Sequence, residues 1–415
     1  MQHSKIIKGI DIGSSKITTI IGQYFKSEDK FNVIAVASMP SVGFRKGQIV
    51  DLETAAQTIT QSIESAERMA GFQIDSACIS LSAPHIESIN SQGIIAISNP
   101  GGEITTEDIK RVIQAARAVS LPQGKEIIDL IPRIFTIDGQ EGITDPVGMN
   151  GVRLELEAHI ILASSPAIEN LKKCLHNVGI KIDDLVYSGL TAAEICLTDT
   201  EKELGVALVD IGGTTTTITI FSENSPAYSV VLPIGGDNIT NDLAIGLRLP
   251  ILDAQKVKLN LKKTTKNKNF EDEAKLSNLG FKPDDTRKIS LQTAITGIIK
   301  PRLEEIFTLT NQQINNSGFK NCIPSGIVLT GGACQTIQAE EACGKIIPLP
   351  LRIAETPKIG GIVDNILNPA HTSAIGLLVY SHHNDQQKET TSKKTKFSFN
   401  SFANRIKNIL EPLLP

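Results

Sequence analysis

The chain has 415 residues, enough for two or three domains with buried cores. It is 40% hydrophobic with a mean hydropathy of −0.01, and no run reaches the ~18 apolar residues of a membrane-spanning helix. No apolar stretch precedes the first strand, so no signal peptide is expected; a net charge of −4 argues against a general nucleic-acid binder, and six cysteines without a C-x-x-C pair read as buried reduced thiols rather than zinc ligands.

The first motif comes at once: Gly9-Ile10-Asp11-Ile12-Gly13-Ser14-Ser15-Lys16, with β-branched runs on both sides. This pattern predicts strand, tight turn, strand. Glycine is expected to give the turn positive φ and to let its amides approach a ligand closely. Successive amides and hydroxyls can then ring a phosphate, and the aspartate can hold the water shell of a Mg2+ ion. A lone hairpin of this kind is more often an ordinary turn.

A strand near residues 32–38, a helix near 52–70 and a strand near 77–82 follow, which is α/β material. Residues 84–164 differ. Short β-rich runs (94–97, 127–135, 155–163) surround one helix near 106–119, whose start, Thr105-Thr106-Glu107-Asp108, supplies an N-cap and first-turn acids. They read as a small inserted subdomain. The first-lobe core, begun in residues 1–83, resumes over 165–200 with a helix near 166–178.

The second motif, Val209-Asp210-Ile211-Gly212-Gly213-Thr214-Thr215-Thr216, repeats the chemistry of the first and opens a second lobe over 201–232. Two copies suggest a duplicated fold that clamps one nucleotide between its halves. Residues 233–304 are mostly helical and polar, a second small subdomain. Over 305–356 a buried strand, Gly326-Ile327-Val328-Leu329-Thr330-Gly331-Gly332-Ala333, ends on paired glycines that leave room for a flat base or ribose, or that merely serve a strand-to-helix turn. A helix near 372–380, within residues 357–381, closes the first lobe.

The end of the chain has its own character. From His382 onward there are six Lys or Arg against three acids, a balance of +3 that leaves −7 for the rest. Residues 382–396 are polar and low in complexity, and are expected to form a flexible linker. In residues 397–415, Phe399, Phe402, Ile406, Ile409, Leu410 and Leu413 fall within an arc of about 100° on a helical wheel. Arg405 and Lys407 flank the stripe, where their stems can lie along apolar surface while their charges reach headgroups. Pro412 should stop the helix near Leu410. Such a helix lies in an anionic membrane interface; the bland alternative is docking on protein.

In this order the three glycine motifs resemble the actin-like ATPase superfamily. Three longer segments narrow the resemblance to the FtsA family of bacterial cell-division proteins, from about Lys5 to Tyr380: Ser41-Val42-Gly43-Phe44-Arg45-Lys46-Gly47-Gln48-Ile49-Val50-Asp51, the stretch from Glu203 to Gly213, and Pro233-Ile234-Gly235-Gly236-Asp237-Asn238-Ile239-Thr240-Asn241-Asp242-Leu243-Ala244. The resemblance implies an actin-like, two-lobed α/β ATPase fold, with a small inserted subdomain in the first lobe and a C-terminal amphipathic helix.

It also implies roles, residue by residue. Asp11 would orient the Mg2+ hydration shell. Gly13, Ser14 and Ser15 would meet the β- and γ-phosphates of ATP, and Lys16 would add charge. Asp210 would face the γ-phosphate and an attacking water, with Glu194 near the place of a water-orienting side chain. Gly212, Gly213, Thr214 and Thr215 would form the second phosphate turn, with Gly236 across the cleft. Gly331, Gly332 and Ala333 would pack on the adenosine, and Gln255 and Lys258 would lie near the nucleoside. Arg302, with Arg287 beside it, would contact the C-terminal tail of FtsZ; the nearby lysine run from Lys256 to Lys268 has a solvated face as its plain reading.

The departures from the family pattern bear on chemistry. Thr214 stands where the family has a third glycine, and Thr217 where it has a second aspartate. A β-branched residue tolerates positive φ poorly, so a reshaped turn and at most slow hydrolysis are expected. The implied function is a peripheral adaptor at the septum, on the cytoplasmic side of the inner membrane. It would tether the FtsZ ring, self-assemble and recruit later division proteins. Two other readings share the fold: a pilus-assembly protein like PilM, and a small-molecule kinase.

Overall fold

The computed structural model describes residues 4–26, 30–97, 102–264, 273–282, 284–355, 359–361 and 367–393. Isoleucine-rich alternation draws the first hairpin, β1 (Ser4–Ile12) and β2 (Lys16–Phe25), into a sheet with β3 (Lys30–Pro40). A small hairpin, β4 (Phe44–Arg45) and β5 (Gln48–Ile49), leads to α1 (Leu52–Ala70). Asp51 caps that helix by accepting from the amides of Glu53 and Thr54, and Gly71 at φ 79° ends it. Its buried stripe of Ala55, Ile59, Ile63 and Ala66 packs on the sheet.

After β6 (Ser76–Leu81) comes the insertion: β7 (Glu87–Ala96), α2 (Thr106–Arg117), β8 (Lys125–Ile137), β9 (Gln140–Ile143) and β10 (Arg153–Ser164). A reciprocal capping box between Thr105 and Asp108 starts α2. The first lobe resumes with α3 (Ser165–Val178), β11 (Lys181–Tyr187), α4 (Ser188–Cys196) and α5 (Asp199–Leu204).

The second lobe opens with a matching hairpin, β12 (Val206–Ile211) and β13 (Thr216–Ser222), then β14 (Ser225–Leu232). Its small subdomain holds α6 (Gly236–Gly246), α7 (Ile251–Thr264), β15 (Glu273–Lys275) and β16 (Lys288–Ser290). A π-helix over Thr293–Ile299 runs into α8 (Lys300–Asn316). Then β17 (Ile327–Thr330), α9 (Ala339–Ile346), β18 (Leu351–Ile353), β19 (Gly360–Gly361) and α10 (Thr372–Lys393) complete the described fold.

The first sheet runs β11-β6-β1-β2-β3-β19, and the second β18-β17-β12-β13-β14-β7-β10-β8-β9. Each lobe has its own apolar core. One gathers Ile10, Ile17, Ile59 and Tyr187; the other gathers Val209, Ile218, Leu243 and Phe307. Although the chain enters the insertion from the first lobe, its sheet extends that of the second: β7 pairs with β14 at Glu87 and Val230. Buried His159 braces this seam, with Nδ1 at 2.8 Å from Asn90 Oδ1 and Nε2 at 3.0 Å from Ser229 Oγ.

One expectation needs correction. The segment from His382, expected as flexible linker, continues α10 to Lys393. No Gly or Pro interrupts residues 377–393, and the Gln386–Glu389 run favours helix. The helix is also held to the body: His382 is buried and stacks on Tyr24 with ring centroids 3.7 Å apart, and His383 Nδ1 lies 3.2 Å from Glu194 Oε2. The apolar stripe from Phe399 to Leu413, with Arg405 and Lys407, lies outside the described residues.

Candidate functional site

Between the lobes lies a cleft of about 630 Å³, into which both hairpin turns and the glycine pair converge. Asp11, Gly13, Ser14, Ser15 and Lys16 line it from one side, and Asp210, Gly212, Gly213 and Thr215 from the other. Gly236, Gln255, Lys258, Gly331, Gly332 and Ala333 complete the predicted set. Thr214 supports the cleft without lining it: its amide donates to Ser14 Oγ at 3.1 Å, and its own buried hydroxyl has no partner.

The turns meet directly. Ser14 Oγ also accepts from Thr215 Oγ1 at 3.2 Å, so a serine oxygen occupies the mouth of the second turn. The predicted reason for the glycines is only half right. Neither Gly13, Gly212 nor Gly213 has positive φ, and nor does Thr214. Thr214 therefore carries no backbone strain. These glycines are needed for close approach: a Cβ on Gly213 would sit 2.5 Å from Ser15 Cβ, and one on Gly13 would sit 2.7 Å from Lys16 O. Gly331, at φ +86°, does need its conformation, and a Cβ there would strike Asp210 Oδ1.

The floor carries two enclosed carboxylates. Burial raises the carboxyl of Asp11, against Ser80 Oγ donating at 2.5 Å and the charge of Lys16. Burial also lifts Asp210 to about 6; Ser373 Oγ, donating at 3.1 Å, opposes the lift and the charge of Asp11 adds to it. Burial lowers the Lys16 ammonium to about 8 despite both carboxylates. Its Nζ lies 3.0 Å from Nε2 of His371, which burial and then Lys16 depress to about 4, so the imidazole is neutral and accepts. Lys258 is buried, and its Nζ donates to Gly236 O at 2.8 Å and Thr240 Oγ1 at 2.6 Å.

Three expected residues are placed otherwise. Glu194 lies outside the cleft, on the face of α4 toward Lys202, 3.8 Å away, and His383. Arg302 forks onto Asp242, with Nε at 2.6 Å and Nη2 at 3.0 Å, and also bonds Glu305. It is thus committed to its own subdomain. Arg287 is more open, but pairs with Asp285 at 2.7 Å. We expect Arg302→Glu to lower unfolding free energy by about 2 kcal/mol in urea titrations, because it sets three carboxylates together in a partly buried place. An unchanged midpoint would show the fork to be dispensable.

Sequence reasoning missed several lining residues. Asp237 follows the named Gly236 and had a visible signal in that segment. Ser373 had none, since it reaches Asp210 from 163 residues away, and nor did His371, which does not line the cleft but contacts Lys16 from 355 residues away. Ser82 and Ser188 stand in unremarkable segments; Ser82 Oγ lies 2.7 Å from Oγ1 of Thr217.

Paired glycine hairpins closing one cleft between two α/β lobes define an actin-like fold. Solved structures agree. A chain of a PilM-PilN type IV pilus biogenesis complex is similar with a TM-score of 0.60, at 14% identity over 90% of this chain and 98% of that one. MreB 5 of Spiroplasma citri, in a crystal structure bound to AMPPNP, is similar with a TM-score of 0.55, at 14% identity over 93% and 98%. At such identity the likeness speaks to fold alone.

Sequence relatives go further. A model described as the SHS2 domain inserted in FTSA matches residues 83–162, and one described as Cell division protein FtsA matches residues 207–376. Cell division protein FtsA of Pseudomonas aeruginosa is 37% identical over 92% of this chain and 90% of its own length. That of Bacillus subtilis is 34% identical over 92% and 85%, and that of Escherichia coli K12 is 32% identical over 98% and 97%. The chain belongs to the FtsA family of cell division proteins.

Proposed function

We propose that this cell-division protein binds ATP with Mg2+ in the cleft and tethers FtsZ filaments to the cytoplasmic face of the inner membrane at the septum. The observation that carries the nucleotide reading is the meeting of the two turns at Ser14 and Thr214. It sets the two glycine turns side by side in the cleft that Lys16 also lines. The cleft volume of about 630 Å³ suits a nucleotide. Among the described residues no three ligating side chains converge. A Mg2+ ion would therefore rest on Asp11 through water and on phosphate oxygens, as this ion prefers, and would supply charge neutralisation. Hydrolysis is slow: Thr217, bonded to Ser82, presents a hydroxyl where the family pattern has a carboxylate, and Glu194 is remote.

The membrane half rests on the apolar stripe of residues 397–415 and the basic balance of the chain from His382 onward. Self-assembly would make many weak tails act together. The FtsZ tail is assigned to the second small subdomain, where Arg287 is accessible and Arg302 would have to leave Asp242. Recruitment of later division proteins rests on family membership. The test is calorimetry of ATP·Mg2+ with the full chain and with Gly213→Val, whose side chain would enter the space of Ser15. The wild type should bind with micromolar or tighter affinity, and the variant at least 100-fold more weakly. No heat from the wild type ends the nucleotide reading.

A further inference from the structure

The start of α4 forms part of the cleft wall, and nothing so far assigns it a role. Ser188, its first residue, is 3% exposed and lines the cleft, yet its hydroxyl has no hydrogen-bond partner. A buried hydroxyl left bare costs free energy, so such groups usually answer to a ligand or water. Tyr187, the N-cap, offers no side-chain hydrogen bond to the first amides of the helix. The first turn of a helix carries partial positive charge.

The position is fixed from behind. Tyr187 Oη donates to Ile218 O at 3.1 Å, pinning the start of α4 to β13 just past the second glycine turn. A Cβ on Gly189 would run into Thr219 Oγ1, so the approach is as close as the chain allows. Asp210 and Thr217, paired across the hairpin, line the same cleft as Ser188.

We propose that Ser188, at the start of α4, forms a subsite for the terminal phosphate of a nucleoside triphosphate, so that the cleft distinguishes triphosphate from diphosphate. The inference rests on the nucleotide reading above. The Ser188 hydroxyl donates to a terminal phosphate oxygen, and the helix start offsets part of the repulsion from Asp11 and Asp210. The nucleoside and the two inner phosphates would not touch it.

Calorimetry of wild type and Ser188→Ala, with ADP·Mg2+ and with a non-hydrolysable ATP analogue and Mg2+, tests this, alongside thermal melts of the ligand-free proteins. Removing a hydroxyl without a partner should leave the melting temperature equal or higher. Affinity for the ATP analogue should fall about tenfold while affinity for ADP holds within twofold. Equal losses for both nucleotides, or a lowered melting temperature, would mean a structural role and overturn the subsite. Unchanged affinity for both would also overturn it. If the wild type binds ADP but Ser188→Ala does not alter the preference for triphosphate, the subsite alone fails. If the wild type binds neither nucleotide, the nucleotide reading fails with it.

Discussion

Asp210→Asn should make the ligand-free protein more stable at pH 8, by on the order of 2 kcal/mol, while cutting its affinity for ATP·Mg2+ at least tenfold. The sign follows from the carboxyl, which burial raises from 3.8 to about 6. The folded state then holds the proton more tightly than the unfolded chain does. Stability therefore falls as pH rises from about 4 through about 6, and the cost is complete above that. Asparagine has no proton to lose, so its advantage should vanish near pH 4 and plateau above pH 6. Urea titrations across this range would show it. A variant less stable than wild type at pH 8 would mean that Asp210 is a structural acceptor for Ser373 rather than a charge held ready for a ligand.

Phe402→Glu combined with Ile406→Glu should lower the liposome-bound fraction to under a tenth of wild type while leaving ATP affinity unchanged. Both residues sit inside the apolar stripe. Each loses up to roughly 1.5–3 kcal/mol of burial and gains a charge repelled by anionic headgroups. A tail of this length has little margin, because ordering each residue costs roughly 1 kcal/mol or more. Asn404→Glu, on the polar face, should have a mild effect. Sedimentation with anionic vesicles reads all three. Retention of the double variant at wild-type levels would mean that the helix is not the anchor.

The features that lay open in the sequence were those written locally. Turn, cap and alternation are chosen by neighbours in the chain, so both glycine hairpins, α1 and the Thr105–Asp108 cap could be read directly, whereas the Asp51 cap of α1 was not. The glycine pair was also legible, although only Gly331 needs its positive φ. What stayed hidden was set by distant partners. Arg302 has its fork on Asp242, 60 residues away, and no spacing rule announces that pairing. Glu194 and Ser188 share one short helix, and only the packing of that helix on β13 decides which of them faces the cleft. His371 and Ser373 enter because α10 folds back on the first lobe. That docking also extends the helix past the point where composition alone suggested a linker.

Under the proposed function, nucleotide-bound protein joins FtsZ to a membrane through its C-terminal residues. The direct measurement is recruitment of fluorescent FtsZ to a supported anionic bilayer with ATP·Mg2+, comparing the full chain with one ending at residue 396. The full chain should bring FtsZ to the surface, and the shortened chain should leave it in solution while binding ATP equally well. Equal recruitment by both chains, or none by the full chain, would rule out tethering through these residues.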